Sequence, residues 1–314
     1  MTDRSDLSCY VCIPSLGDDD TFMERLHEEY GSVTLHEGPD RPTKAELKTI
    51  ARDHDVAICG MAEEFDADVA AAVDNLEAIG TLSIGLDHLD LDALESAGVT
   101  VVNVEEANVV SVAEHTWMFI LSLHKRLIES HRSVVEGSGR DGLDERPVDV
   151  NKRTLGVIGA GSIGYEVTRQ AEAFRTETLV WTFNPEGHDE FDSLESTFIN
   201  DLAELVDRSD VVTIHLPLSE KTESLIDGEL LEDVNDTQSR LLINTSRSDI
   251  VAGEVYEQIG EDGVFDAAGL DVFPDDLPAT ASNRVYFTPH TAGITKEASD
   301  RMRTEVLRKL ENTF

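Results

Sequence analysis

Thr154-Leu-Gly-Val-Ile-Gly-Ala-Gly-Ser-Ile-Gly-Tyr-Glu-Val-Thr168 reads as a buried strand, a turn carrying G-x-G-x-x-G, and the opening turns of a helix. In that strand-turn-helix context the glycines form a dinucleotide-binding fingerprint. Gly159 allows the tight turn, Gly161 lets the backbone approach a pyrophosphate, and Gly164 lets the helix pack close to the strand. Ser162 and Ile163 open the helix, whose free N–H groups and positive dipole end face the phosphates. Glycine turns also serve as plain punctuation in α/β chains, and it is the flanking strand and helix that favour the cofactor reading here.

A Rossmann unit usually opens its domain, yet about 150 residues precede this one, enough for a domain of their own. Those residues alternate apolar strands and amphipathic helices. The pattern predicts strands at 8–13, 32–36, 56–59, 78–83 and 99–104, and helices at 21–30, 44–54, 67–75 and 90–97. Such alternation implies a parallel, doubly wound sheet. From Ser111 to about Val135 a single long helical pattern follows, richer in apolar residues than a surface helix needs, and it is expected to pack between domains or subunits. Beyond the fingerprint, strands are predicted at 210–216, 240–244, 269–273 and 284–287.

The formal charge of −39 comes from 64 acidic and 25 basic residues, only seven of them lysines. A surface of that sign repels nucleic acid and anionic membranes. The carboxylates are spread along the chain and do not form one block, so a solvated surface adapted to high salt is expected, and stability should rise with salt. No apolar run is long enough to span a membrane, and the polar start Met-Thr-Asp-Arg-Ser-Asp is not a signal peptide. Cys9, Cys12 and Cys59 offer no even disulfide framework, which fits a reducing cytoplasm. Cys9 and Cys12 spell C-x-x-C within a strand pattern. Three residues apart on a strand, they point to opposite faces, so buried strand cysteines are the reading and no metal is expected.

The residues also match a known family. The chain resembles the D-isomer-specific 2-hydroxyacid dehydrogenases over nearly its whole length. The pieces that carry the likeness are Ser83-Ile-Gly-Leu-Asp-His-Leu-Asp90, Asn108-Val-Val-Ser-Val-Ala-Glu-His115, Gly159–Gly164, His215-Leu-Pro-Leu218, Ile243-Asn-Thr-Ser-Arg247, Leu270-Asp-Val-Phe273 and Thr288-Pro-His-Thr-Ala-Gly293. Each is weak alone, but their order and spacing together are specific. The resemblance implies an α/β fold of two doubly wound parallel-sheet domains. A flavodoxin-like substrate domain, residues 1–103 and 287–314, would be interrupted by a Rossmann domain at 104–286, which explains the displaced fingerprint. It also implies a homodimer joined through the nucleotide domains.

Exchange of a hydride with a 2-hydroxy acid needs a group that moves the hydroxyl proton, a cation for carboxylate and keto oxygen, and a nicotinamide held at C2. By the family match His290 is the general acid/base and Arg247 grips the substrate, where a planar fork suits a carboxylate better than lysine would. Asp276 falls where most of the family has glutamate; one methylene shorter, it must sit closer to His290. Ile84 and Gly85 would offer backbone N–H groups to the carboxylate, and Asn108 would also hold substrate. Val112, Thr182, His215, Pro217, Thr222, Thr245 and Asp271 join the glycine turn along the cofactor, Asp271 beside the carboxamide.

Thr182 stands where an acid would hold the ribose hydroxyls of NAD. No arginine follows it to bind a 2′-phosphate, so the cofactor is read as NAD(P). The Ser83–Leu91 and Asn108–His115 segments also resemble formate dehydrogenases of the superfamily. Those place a neutral glutamine where this chain has Asp276, and an acid–histidine pair favours proton exchange with a hydroxy acid. Phosphoglycerate dehydrogenases usually carry an arginine just before the glycine loop, where this chain has Thr81-Leu82. A small 2-keto acid such as glyoxylate or hydroxypyruvate is therefore the favoured substrate. The fold also supports NAD(H)-sensing binding proteins, and fold alone does not exclude them.

Overall fold

The structure, a computed structural model, describes residues 4–38, 40–235, 238–260, 263–274, 277 and 284–314. In chain order the elements are β1 Ser8–Val11, α1 Asp20–Glu29, β2 Ser32–Leu35, α2 Lys44–Asp53, β3 Val56–Cys59, α3 Ala67–Ala70, β4 Ala78–Thr81, α4 Leu91–Ser96 and β5 Thr100–Asn103. They continue with α5 Val109–His124, α6 Leu127–Val135, β6 Thr154–Ile158, α7 Ser162–Phe174, β7 Glu177–Trp181, β8 Ser196–Phe198, α8 Leu202–Arg208 and β9 Val211–Ile214. The last are α9 Gly228–Leu231, β10 Leu241–Asn244, α10 Gly253–Glu257, β11 Ala267–Leu270, β12 Val285–Phe287 and α11 Lys296–Glu311. The chain divides into one unit of residues 1–108 with 296–314 and a second of 109–295.

The first unit holds a five-stranded parallel sheet in the order β2-β1-β3-β4-β5. That is the flavodoxin-like arrangement, with its reversal of strand order between β1 and β3. β3 and β4 are buried along their whole length, as strands covered on both faces must be. On one face Phe22 and Leu26 of α1 pack with Met302, Val306 and Leu310 of α11, and Cys9 belongs to that layer. On the other, Leu47 and Ile50 of α2 meet Val69 and Leu94, together with Cys12 and Cys59. The two cysteines of C-x-x-C thus lie on opposite faces, free and buried, and burial pushes both thiols up. A capping box fixes the start of α2: Thr43 accepts from the Glu46 N–H, and Glu46 accepts from the Thr43 N–H.

The second unit is a seven-stranded parallel sheet, β12-β11-β10-β9-β6-β7-β8, which is the Rossmann order with one strand added. The long pattern expected from Ser111 to Val135 is two helices, not one. The chain turns at Arg126, whose φ of +50° leaves the helical region, and α6 restarts at Leu127. Within the second unit α5 has a packing role of its own. Ala113, Trp117, Phe119, Ile120 and Leu123 are buried within the second unit, against Val167 and Ala171 of α7 and Ile243 of β10. Among the described residues no helix is long and apolar enough to cross a membrane.

Arg240, at the start of β10, is fully buried. Its guanidinium donates to the carbonyls of Asp207 (3.0 Å), Ser209 (3.1 Å), Asn235 (3.3 Å) and Val264 (3.4 Å), and burial lowers its pKa. It ties the end of α8 to the strand that leads to Arg247.

The unit boundaries differ from the expected 103/104 and 286/287. They fall at 108/109 and 295/296, so His290 travels with the second unit. The physical reason is local: β12 pairs with β11, and the segment after it is bonded to Asp271 at the end of β11.

Candidate active site

In a parallel sheet the loops after the strands share one edge, and the second unit collects its candidate residues there. Gly159–Gly164 follows β6, Thr182 follows β7, His215 and Pro217 follow β9, Thr245 and Arg247 follow β10, and Asp271 follows β11. Thr222 closes the loop after β9, its hydroxyl donating to Pro217 O (2.7 Å) and accepting from Ser219 N–H (2.8 Å). Val112 lies buried in α5, and its carbonyl accepts from Thr116, whose hydroxyl is 3.3 Å from that of Thr245.

The glycine turn has the shape a pyrophosphate requires. Gly159 has φ +110°, and a Cβ there would stand 2.3 Å from the carbonyl oxygen of His215. At Gly164 a Cβ would meet the Gly159 carbonyl at 2.0 Å, so α7 approaches the turn as no other residue permits. Gly161 faces open space, with nothing within 4 Å of a Cβ, and α7 begins there without a side-chain cap. Its first N–H groups and positive dipole end are therefore presented to an anion. Beside the turn, His215 donates its N–H to Ile158 O (2.7 Å), and its Nε2 meets Thr213 Oγ1 at 3.0 Å. Its Nδ1 is buried with no hydrogen-bond partner among the described residues, and burial drops the imidazole pKa to about 3. A neutral ring with an unsatisfied nitrogen on the cofactor edge fits a polar ligand group.

His290 sits in a loop clamped by one carboxylate. Asp271, almost fully buried, accepts from the N–H of Thr291 (2.8 Å) and of Ala292 (2.9 Å) and from the hydroxyl of Thr288. The His290 N–H reaches the Asp271 carbonyl at 3.0 Å. His290 itself is held at φ +54°, an uncommon conformation for a residue with a side chain. Burial pulls its pKa below the ordinary histidine value, the nearby Arg247 guanidinium lowers it further, and Asp271 opposes both.

Arg247 is placed by Asn244, whose amide donates to the Arg247 carbonyl (2.9 Å) and to Tyr256 Oη (3.0 Å) while its oxygen takes the Ser246 N–H (3.0 Å). Sequence reading quoted Asn244 within Ile243-Asn-Thr-Ser-Arg247 but gave it no role, and Tyr256, which lies outside every motif, was not identified. His115, the last residue of the Asn108–His115 motif, was given no role either. His115 Nε2 lies 2.9 Å from Thr288 Oγ1 and 3.7 Å from Asp271, which makes it a brace behind the His290 loop. Asp276 lies outside the described residues.

Ile84, Gly85 and Asn108 belong to the first unit. The loop of Ile84 and Gly85 follows β4, whereas Asn108 follows β5. The first is pinned from within: Ser83 Oγ meets Thr81 Oγ1 and donates to Gly85 O, each at 2.8 Å, and Asn103 donates to Ile84 O at 3.0 Å. His88 Nε2 lies 3.1 Å from Thr81 Oγ1. Asn108 Oδ1 is buried with no partner among the described residues.

Residues 117–292 match the family model for the NAD-binding domain of the D-isomer specific 2-hydroxyacid dehydrogenases. A glyoxylate reductase of Thermofilum pendens is 31% identical, over 90% of this chain and 85% of its own. A D-3-phosphoglycerate dehydrogenase of Methanocaldococcus jannaschii is 29% identical over 92% of this chain, which spans 55% of that longer protein. Among solved structures, a D-lactate dehydrogenase from Aquifex aeolicus, complexed with NAD and lactic acid, superposes with a TM-score of 0.83 at 25% identity, covering 97% of this chain and 94% of its own.

Proposed function

The chain belongs to the D-isomer specific 2-hydroxyacid dehydrogenase family, and on that premise we propose that it interconverts a small 2-keto acid, glyoxylate or hydroxypyruvate, with its D-2-hydroxy acid. It is an NAD(P)-dependent oxidoreductase acting on CH–OH donors. What supports the proposal is that His290 and Arg247 both lie in loops at the strand-end edge of the second sheet, His290 on a loop clamped by Asp271. When bound, the nicotinamide supplies the hydride to C2 or receives it. Arg247 would bind carboxylate and polarise the keto oxygen, and His290 would give that oxygen its proton in reduction and take it back in oxidation. Asp276 is proposed to pair with His290 and favour the imidazolium. Ile84, Gly85 and Asn108 are proposed to hold the substrate carboxylate, an assignment that rests on the family match.

The glyoxylate and hydroxypyruvate reductases among the relatives support this substrate class. The phosphoglycerate dehydrogenases among them make a phosphorylated acid the reading to test against it. NADH and NADPH oxidation measured with glyoxylate, hydroxypyruvate, 3-phosphohydroxypyruvate and, in reverse, formate would decide. Turnover of an unphosphorylated keto acid is expected, with kcat falling about 10²–10⁴-fold in His290→Asn. Tight dinucleotide binding with no turnover of any acid would overturn the proposal in favour of a sensor.

We further propose a salt-adapted homodimer of the cytoplasm. Exposed Val110 and Met118 on α5, with Leu127, Ile128, Val134 and Val135 on α6, offer the second unit an apolar face for a second copy. A monomer by light scattering in molar KCl would refute the dimer, and melting that is indifferent to KCl would refute the salt adaptation.

A further inference from the structure

Open parallel sheets place ligands outside the strand ends where strand order reverses. In the five-stranded sheet that point lies between β1 and β3. The chain beyond β3 carries Gly60 and Glu63, and Glu63 is wholly buried. Its two oxygens are both engaged: one accepts from the Gly60 N–H at 2.7 Å, the other from Arg41 Nη1 at 2.7 Å. Arg41 comes from the loop before α2, and its side chain remains about half exposed. A Cβ on Gly60 would stand 3.4 Å from Arg41 Nη1 and 3.3 Å from Ile13 Cδ1, beyond β1. The guanidinium also acts on Cys12 and Cys59, opposing the rise that burial gives their thiols, which locates it over the ends of β1 and β3.

The proposed carboxylate loop is the neighbour of this pair. Cys59 pairs with Thr81, and the Leu82 N–H bonds to Cys59 O at 2.9 Å, so Gly60 and Ser83–Gly85 leave adjacent strands side by side, about 5 Å apart. We propose that Arg41, oriented by the buried Glu63, is a specificity residue that donates to an oxygen on C3 of the substrate, selecting hydroxypyruvate and D-glycerate over pyruvate and D-lactate. This rests on the dehydrogenase reading above and narrows its substrate. A guanidinium fixed by a carboxylate keeps free N–H donors, yet its charge is largely balanced. It therefore suits a hydroxyl better than a phosphate dianion, which Glu63 would oppose.

The test compares acids that differ by that one hydroxyl. Wild type should favour hydroxypyruvate over pyruvate in kcat/KM by about tenfold or more, since a site built to bond a hydroxyl discriminates strongly against its absence. In Arg41→Met the preference should vanish, with pyruvate turnover and NADH affinity within about twofold of wild type. Removing the cation alone strands a buried carboxylate, so Arg41→Met/Glu63→Gln serves as the second variant and should behave alike. Titration of D-glycerate and D-lactate into the NADH-saturated protein, where reduced cofactor and hydroxy acid cannot react, reads the same preference without turnover, so it decides even if no keto acid is reduced. Equal loss for both acids, or an unchanged preference in both variants, would overturn the proposal. Glu63 is a positioning residue, and Arg41→Lys, which keeps the charge but loses the fork, should recover only part of the preference.

Discussion

The ligand edges of the two sheets are built from different material. After β6 the surface is backbone: three glycines, two of them with no room for a Cβ, and an uncapped helix start. After β3 and β4 it is side chain: a hydroxyl network running from His88 through Thr81 to Ser83, and an arginine held by a carboxylate. A backbone cradle recognises a phosphate through groups every residue carries, so the fold and its glycines largely set what binds. A side-chain edge can be redrawn by single substitutions. On the proposed function, one unit would keep the cofactor constant while the side-chain edge of the other would help to choose the acid.

Substitutions in the backbone edge should separate shape from binding. The largest effect is expected for Gly159→Ala, which must adopt φ +110° and displace the His215 carbonyl. Backbone strain of about 1–3 kcal/mol adds to overpacking of similar size, so the melting temperature should drop along with NADH affinity. Gly161→Ala meets no atom within 4 Å. It should leave the melt almost unchanged and weaken dinucleotide binding alone, as read by fluorescence titration. If the two variants behaved alike, the claim that the cradle is backbone would fail.

A smaller effect is expected at Asp271, where the second unit does rely on a side chain. Asp271→Asn would leave the Thr291 and Ala292 N–H groups competing for one amide oxygen, at a cost of about 1–3 kcal/mol in chemical denaturation. It would also shift a pH profile. Asp271 raises the His290 pKa against burial and Arg247, so its removal lowers that pKa further. Reduction needs the imidazolium and fades as pH rises through the His290 pKa. The reductive limb should therefore move to lower pH and the oxidative limb, which needs neutral imidazole, should rise earlier. An unmoved profile would show that Asp271 braces the loop without tuning its histidine.

These contrasts explain what was legible in the sequence. The glycines at 159, 161 and 164 announce themselves because backbone geometry admits nothing else, and the fully buried β3 was bounded to the residue. The break between α5 and α6 was invisible, since a left-handed Arg126 carries no glycine or proline signal. His290 and Asp271 were singled out through the family match. The clamp that relates them, through Thr288, Thr291 and Ala292, depends on two loops meeting after β11 and β12. Arg41 and Glu63 had no signal at all: they come from separate loops, and only the folded sheet brings them together.

The buried Arg240 has a consequence for how the molecule meets its solvent. Its partners are peptide carbonyls, which neither titrate nor exchange counterions, and water and dissolved ions do not reach it. Surface ion pairs loosen as salt rises, because added ions compete for each partner. Buried and bonded to carbonyls, this joint is expected to respond to salt far less than a surface ion pair does. β10, which leads to Arg247, is thereby anchored to α8 through contacts that dissolved ions compete for least.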